Sequence, residues 1–208
     1  MQIDPSTVLW SAPEPERAGR PLMVMLHGHG SDEQAGFDFR ALLPPELVIA
    51  SVRAPLQAGG GYAWFRLDAS LALQQIEEVA RAVLAWLDDL PPAPSVGILG
   101  FSQGAAMGLQ TLRLAPARFD YAVVLSGFSV PFEAEGDAAL EDRRPPVFWG
   151  RGDRDTIIPP FLIPLTRDWL ARHTTLTERV YPGLGHYVAP AELADLSAFL
   201  SQQLTTAP

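Results

Sequence analysis

The sequence predicts an α/β fold in which a mostly parallel central sheet is covered by helices on both faces. Three observations support this prediction. Short apolar runs, each bounded by Gly, Pro or charged residues, alternate along the chain with longer segments of helical periodicity. Strands that alternate with helices require crossover connections, which bring successive strands together in parallel. One predicted strand also runs into a glycine-flanked serine and then directly into a helix, within residues 96–114.

The predicted elements follow one another without a repeat or a domain linker. The apolar runs that we assign to buried strands are residues 22–26, 47–52, 96–99, 121–125 and 147–149. Residues 7–10 are predicted as an antiparallel edge strand and residues 176–181 as the last strand. Apolar residues at helical spacing predict helices over residues 71–87, 103–114, 159–172 and 191–204. The acidic and polar segment 129–144 is too short to form a separate lid domain.

Length and composition favour one globular domain over residues 1–208, because 208 residues with 48% apolar content allow one sizeable core. The net charge of −9 argues against nucleic-acid binding, which relies on Lys and Arg. The chain contains no Cys, and all fifteen basic residues are Arg, which excludes cysteine and lysine nucleophiles.

No apolar stretch approaches the roughly 20 residues that cross a bilayer, and no secretion signal is recognisable. We therefore expect a cytoplasmic protein without stable membrane insertion.

The candidate nucleophile is Ser102, in the sequence Gly100-Phe101-Ser102-Gln103-Gly104. A serine on a sharp strand-to-helix turn is pushed out over the edge of the sheet, and the flanking glycines let strand and helix pass closely. The following helix directs free backbone amides at the negative charge that develops during acyl transfer. A bare G-x-S-x-G match is weak, but here it lies in the required context and is typical of α/β hydrolases.

The general base and its acidic partner are expected downstream of the serine, in the order Asp or Glu, then His. His186 lies in a loop between the last strand and the last helix, whereas His173 is expected to be a solvated residue at a helix end. Two aspartates compete as the acid. Asp155 directly precedes an apolar run, and Asp153 resembles a turn residue or an ion-pair partner. We prefer Asp155, but composition leaves both open.

A glycine-rich loop after the strand 22–26 is the candidate oxyanion hole. We expect one donor to be the backbone amide of Gln103 and the other to be the amide of His29. His27 and His29, two residues apart, also suggest a metal site. However, no third ligand is apparent nearby, and the glycines of the loop fit an anion hole better. We expect no metal, and we expect His27 to hold the loop through a hydrogen bond of its ring.

Five motifs in this order resemble the phospholipase/carboxylesterase family of α/β hydrolases, which includes carboxylesterases and acyl-protein thioesterases. They are LHGHGSD at residues 26–32, GGGYAWF at 59–65, GFSQG at 100–104, the acid loop from Asp155 to Pro159, and GLGH ending at His186. The resemblance covers nearly the whole chain and is more specific than any one motif. It implies the triad Ser102, Asp155 and His186, with His29 and Gln103 as oxyanion donors. His29 is a departure, since the family often has an apolar residue at this position.

The resemblance also implies substrate contacts at Trp64 and at Phe128, with Ile158 as a weaker candidate. Ordinary core packing is the alternative for the two aromatic residues.

The expected reaction is hydrolysis of short- to medium-chain carboxylic esters through an acyl-enzyme, with no cofactor. The alternatives are a lysophospholipase or acyl-protein thioesterase acting on long chains, a non-catalytic binding protein on the same scaffold, and a lidded lipase or peptidase. The expected partner is a small ester or thioester. A homodimer is compatible with the resemblance, although no sequence feature requires one.

Overall fold

The computed structural model describes residues 1–67 and 72–206. Its centre is a seven-stranded sheet. The strands of the sheet are β1 (Leu9–Trp10), β2 (Leu22–Leu26), β3 (Val48–Val52), β6 (Val96–Phe101), β7 (Tyr121–Leu125), β8 (Pro146–Gly152) and β9 (Thr175–Tyr181). Their order across the sheet is β1-β3-β2-β6-β7-β8-β9. β1 is antiparallel to β3, and the other neighbouring strands of this sheet run parallel. The predicted mostly parallel sheet is therefore confirmed.

Helices cover both faces of the sheet, and each face has its own core. They are α1 (Ala72–Asp88), α2 (Gln103–Leu114), α3 (Asp137–Arg143), α4 (Leu162–His173) and α5 (Pro190–Thr206), with short 3₁₀ segments at Pro5–Thr7, Glu14–Glu16 and Phe37–Leu42. One core packs residues of α1, α2, α3 and α4 against the sheet, as Val83, Leu112, Leu140 and Leu170 illustrate. The other core packs Phe37 and the α5 residues Leu196 and Leu200 against the opposite face. Nearly every residue of β2, β3, β6, β7 and β8 is therefore buried, as expected for strands covered on both faces.

The predicted strands are present, with ends that differ by up to three residues. Residues 96–99 extend to Phe101, because Gly100 and Phe101 continue to pair with β7. Residues 147–149 extend to Pro146–Gly152, because this whole length pairs with β9. The predicted edge strand 7–10 is shorter, since Pro5–Thr7 forms a 3₁₀ turn that the Asp4 carboxylate caps. The predicted helix start at residue 71 lies outside the described residues.

Two short strands and one short helix were not predicted. β4 (Leu56–Ala58) and β5 (Gly61–Ala63) form a two-stranded antiparallel hairpin beside the main sheet. α3 lies within the acidic segment 129–144, and its Asp137 carboxylate pairs at 2.7 Å with the buried guanidinium of Arg113. This short helix packs against α4 and does not amount to a lid domain, as expected.

The expectation for His173 is wrong, because this residue is buried rather than solvated. Its ring stacks on Trp169 with the centroids 4.7 Å apart, and its Nδ1 is 2.7 Å from the Trp169 carbonyl oxygen. The packing of α4 against α3 covers this helix end, which the local sequence did not reveal. In the part of the chain that the structure describes, no helix is long and apolar enough to cross a membrane.

Candidate active site

Ser102 lies on a sharp turn between β6 and α2. Its backbone has φ 54° and ψ −117°, a left-handed conformation that a residue with a side chain seldom adopts. The flanking glycines permit this turn. A Cβ at Gly100 would overlap the backbone of Gly104, and a Cβ at Gly104 would overlap the carbonyl oxygen of Leu26. The motif therefore has glycine at both positions for steric reasons, and the serine is held out at the end of the sheet.

The structure brings Ser102, His186 and Asp155 together in one hydrogen-bonded chain. The Oγ of Ser102 is 2.9 Å from Nε2 of His186, and Nδ1 of His186 is 2.7 Å from Oδ2 of Asp155. Because a carboxylate can only accept, Nδ1 carries the proton in this arrangement and Nε2 accepts the serine hydroxyl proton. The Asp155 side chain is only 6% exposed and the His186 side chain 16%. The chain of hydrogen bonds is thus largely shielded from water.

The two competing aspartates occupy different places. Oδ1 of Asp155 accepts the amides of Ile157 at 2.8 Å and Ile158 at 3.2 Å, which fixes the carboxylate while Oδ2 faces His186. Asp153 is exposed, and its Oδ1 accepts the amide of Gly183 at 2.7 Å. Asp153 therefore stabilises the turn after β9, and the structure brings Asp155 rather than Asp153 to the imidazole.

His29 and Gln103, whose amides are expected to form an oxyanion hole, line the same cleft as Ser102. Gln103 is the first residue of α2, where a backbone amide has no acceptor within the helix. In the loop after β2, Gly30 donates to the Tyr62 carbonyl at 2.8 Å and Ser31 donates to the Gly28 carbonyl at 3.3 Å. Among the hydrogen bonds found in the described residues, none uses the amide of His29. The amides of Gln103 and His29 therefore both lack an acceptor among the hydrogen bonds of the described residues.

The hairpin β4–β5 holds this loop in place. Tyr62 donates its amide to the Ser31 carbonyl at 2.7 Å, so strand β5 and the loop pair in both directions. Trp64, predicted to lie near the substrate, is fully buried behind the loop, and its Nε1 donates to the His27 carbonyl at 2.7 Å. The prediction of a substrate contact at Trp64 does not fit this position. Trp64 instead supports the loop from behind.

The side chain of Gln103 binds the two residues that directly follow the hairpin. It is buried, its Oε1 accepts the Trp64 amide at 2.9 Å, and its Nε2 donates to the Phe65 carbonyl at 2.7 Å. Sequence reasoning considered only the backbone of Gln103 and missed this role. Gln103 is 39 positions from Trp64 and 38 positions from Phe65 in the sequence, so no local pattern could have revealed these hydrogen bonds.

His27 holds the loop through its ring, as expected. Nε2 accepts the amide of Ala54 at 3.1 Å, which leaves Nδ1 as the protonated nitrogen that donates to the Gly28 carbonyl at 2.8 Å. Burial lowers the pKa of His27, an effect that the Gly28 carbonyl partly opposes. The imidazole is therefore neutral, and both of its nitrogens are used within the protein.

A cleft of about 790 Å³ opens beside Ser102. Phe128 and Ile158, the predicted substrate contacts, line this cleft. The exposed residue His29 lines it as well. The other lining residues are mostly apolar and include Met25, Phe39, Phe65, Leu67, Leu99, Phe101, Leu125, Ile157, Leu162, Tyr187 and Val188. Leu67, Ile157 and Tyr187 are more than half exposed at its mouth. These wall residues come from many separate segments, which is why most of them were not predicted.

The fold and the site together define an α/β hydrolase: a serine on a strand-to-helix turn of a mostly parallel sheet, met by an aspartate and a histidine that follow it in that order. Comparison with known proteins shows to which family of α/β hydrolases the chain belongs. The sequence profile of the Phospholipase/Carboxylesterase family matches residues 11–204. The chain belongs to this family and is a carboxylic ester hydrolase, which confirms the resemblance.

Individual relatives agree with this assignment. Acyl-protein thioesterase 1 of Saccharomyces cerevisiae is 27% identical, over 90% of this chain and 94% of the relative. Among solved structures, esterase PE8 superposes with a TM-score of 0.79 at 26% identity, covering 97% of this chain and 99% of that protein. The Bacillus cereus carboxylesterase shares the fold with a TM-score of 0.80 at 16% identity, covering 94% and 93% of the two chains.

Proposed function

We propose that this protein hydrolyses short- to medium-chain carboxylic esters through a covalent acyl-enzyme on Ser102, with His186 as general base and Asp155 as its acidic partner. The observation that carries the proposal is the continuous hydrogen-bonded chain from Asp155 through His186 to Ser102, at the edge of an apolar cleft. A nucleophile activated by a base that a third group orients is the general signature of covalent acyl transfer.

Acylation is the first half of the reaction. Nε2 of His186 takes the proton of Ser102 as Oγ attacks the ester carbonyl carbon, and the resulting oxyanion accepts hydrogen bonds from the amides of His29 and Gln103. The protonated imidazole then gives its proton to the departing alkoxide, and the acyl group stays on Oγ. Asp155 stabilises the imidazolium that exists between these two steps.

Deacylation repeats the same proton transfers with water. His186 removes a proton from a water molecule, which attacks the acyl carbon, and the second oxyanion occupies the same pair of amides. Collapse of this intermediate returns the proton to Oγ of Ser102 and releases the carboxylic acid. Phe128 and Ile158 lie in the cleft wall, where apolar side chains shield an acyl group from water.

A second candidate is hydrolysis of long-chain acyl esters or thioesters. Two observations favour it: the cleft has a volume of about 790 Å³ with a mostly apolar lining, and one relative is named an acyl-protein thioesterase. The same residues would perform both reactions, because an ester and a thioester differ only in the leaving group. Chain length and leaving group therefore distinguish the two candidates, and the triad does not.

The test measures kcat/KM for p-nitrophenyl esters from acetate to palmitate, and for matched S-acyl thioesters whose free thiol is detected. We expect the highest values for short to medium ester chains. An optimum at palmitate, or a preference for the thioester of the same chain, would favour the second candidate. Ser102→Ala serves as the control, and full hydrolysis by this variant would contradict both candidates and favour another nucleophile.

A further inference from the structure

Glu192 is a buried acidic residue that the proposed reaction does not use. It lies in the first turn of α5, shortly after His186 in the chain, and is 0% exposed. Neither of its carboxylate oxygens has a hydrogen-bond partner among the residues that the structure describes. A buried carboxyl without a donor or a cation is costly to maintain, and perturbed ionisable groups of this kind concentrate at functional sites.

The carboxyl of Glu192 lies directly against the backbone of β8. A Cβ at Gly150 would overlap Oε1 of Glu192, so this approach requires glycine at that position. The amide of Ala189, which directly precedes α5, forms no full hydrogen bond with the carboxyl, although it favours the ionised form. A glutamate in the first helical turn beside the preceding amide resembles an incomplete capping box. Through its contact with Gly150, Glu192 thus packs the first turn of α5 against β8.

These two segments carry the proposed acid and base. β8 ends at Gly152 and leads into Asp155, and the loop 182–189 carries His186 into α5. We propose that Glu192 is a positioning residue: by joining Gly150 of β8 to the start of α5, it sets the His186 loop against the segment that carries Asp155. This inference rests on the proposed roles of Asp155 and His186.

Within the described residues, no cation pairs with Glu192. The charged and titratable groups on the surrounding elements pair with one another. Asp195 of α5 accepts the hydroxyl of Tyr181 of β9 at 2.9 Å and lies 3.9 Å from the guanidinium of Arg179. Arg151 of β8 pairs with Glu178 of β9 at 3.4 Å. Burial raises the pKa of Glu192 to about 7, the Ala189 amide opposes this change, and Asp195 adds to it. The carboxyl of Glu192 therefore ionises as pH rises through neutrality.

The first test compares the kinetics of Glu192→Ala and Glu192→Gln with wild type, using p-nitrophenyl butyrate from about pH 5 to about pH 9. Glu192→Ala removes the link, so we expect kcat to fall about tenfold with KM within about twofold. Glu192→Gln keeps the shape and an acceptor oxygen, so it should recover most of kcat. Because it cannot ionise, it should lose the part of the pH dependence that lies near neutrality. Glu77→Gln, exposed on α1, is the matched control and should resemble wild type.

The second test does not depend on hydrolysis. The His186 Nδ1 proton shared with Asp155 should give a strongly deshielded signal in the proton NMR spectrum, assigned by its loss in His186→Asn. We expect this signal to weaken or disappear in Glu192→Ala and to persist in Glu192→Gln. A Glu192→Ala variant with wild-type kcat, an unchanged pH profile and an unchanged signal would overturn the inference. If wild type hydrolyses no ester, the proposed function fails, and the NMR signal alone then decides whether Glu192 positions His186.

Discussion

At the scale of single residues, Asp155 divides its two carboxylate oxygens between two tasks. Oδ2 accepts the Nδ1 proton of His186, and Oδ1 accepts the amides of Ile157 and Ile158. The two amides stop the carboxylate from rotating, so the imidazole keeps its proton on Nδ1 and directs Nε2 at Ser102. The proposed role of Asp155 therefore depends on its acceptor character as well as on its charge.

Replacing Asp155 by Asn should lower kcat for p-nitrophenyl butyrate by about 10⁴-fold, because an amide group can present a donor to Nδ1 and select the wrong tautomer. The matched control is Asp153→Asn, two residues away. It loses only a charge-assisted bond to the Gly183 amide, so kcat should stay within a few-fold of wild type. Steady-state kinetics on both variants check this prediction. Equal losses in the two variants would contradict the assignment of Asp155.

Trp64 gives a second prediction at this scale. Trp64→Phe keeps an aromatic ring behind the oxyanion loop but removes the Nε1 donor to the His27 carbonyl, which leaves that buried oxygen unpaired. We expect kcat to fall about tenfold with KM nearly unchanged, since the loop acts on the oxyanion rather than on the bound ester. Trp86→Phe, also buried but on α1, is the control and should keep its kcat. Equal kcat in wild type and Trp64→Phe would show that the loop does not need this bond.

At the scale of elements, the start of α2 depends on glycines that differ in their surroundings. A Cβ at Gly104 would overlap the backbone of β2, so Gly104→Ala should destabilise the fold by about 1–3 kcal/mol. At Gly108, one turn further along α2, a Cβ would lie 3.5 Å from Cγ1 of Ile98, an ordinary contact. Gly108→Ala should therefore stabilise the fold by about 0.5–1 kcal/mol. Urea unfolding of both variants measures the two opposite signs.

Most elements of the main sheet could be predicted because their patterns are local. A buried parallel strand is a short apolar run, and the glycines around Ser102 mark a strand-to-helix turn. The hairpin β4–β5 could not be predicted in the same way, since its strands have three residues each. The hairpin pairs with the loop around Gly30, and the Gln103 side chain holds the residues that directly follow it; only the folded chain creates these contacts.

At the scale of the whole molecule, the candidate site combines segments whose order was predictable with a cleft whose walls were not. Ser102, Asp155 and His186 each follow a predicted strand, and parallel strands end at one edge of a sheet. The cleft also takes Phe39 from a short 3₁₀ segment, and Leu67 and Tyr187 from loops, none of which has a recognisable pattern. Trp64 shows the converse: it lies in a family motif, yet the structure places it behind the site rather than in it. Side-chain direction in a loop depends on packing that the sequence alone does not specify.

Glu192 should give the stability of the whole molecule a recognisable pH dependence. Because its pKa is raised from 4.5 to about 7 in the folded state, the folded protein binds more protons than the unfolded chain between these values. The stability contributed by the neutral carboxyl is thus lost as pH rises through about 7. Relative to Glu192→Gln, the free energy of unfolding of wild type should fall by up to about 3 kcal/mol between pH 4.5 and pH 8. Urea unfolding at several pH values measures this difference, and a constant difference would contradict the prediction.

The central claim, a covalent acyl-enzyme on Ser102, is tested most directly by trapping that intermediate. Wild type is mixed with p-nitrophenyl butyrate, quenched with acid during turnover and digested, and the peptides are analysed by mass spectrometry. The account predicts one butyryl group on Oγ of Ser102 and none in Ser102→Ala. A butyryl group on another residue, or hydrolysis at the wild-type rate by Ser102→Ala, would contradict it.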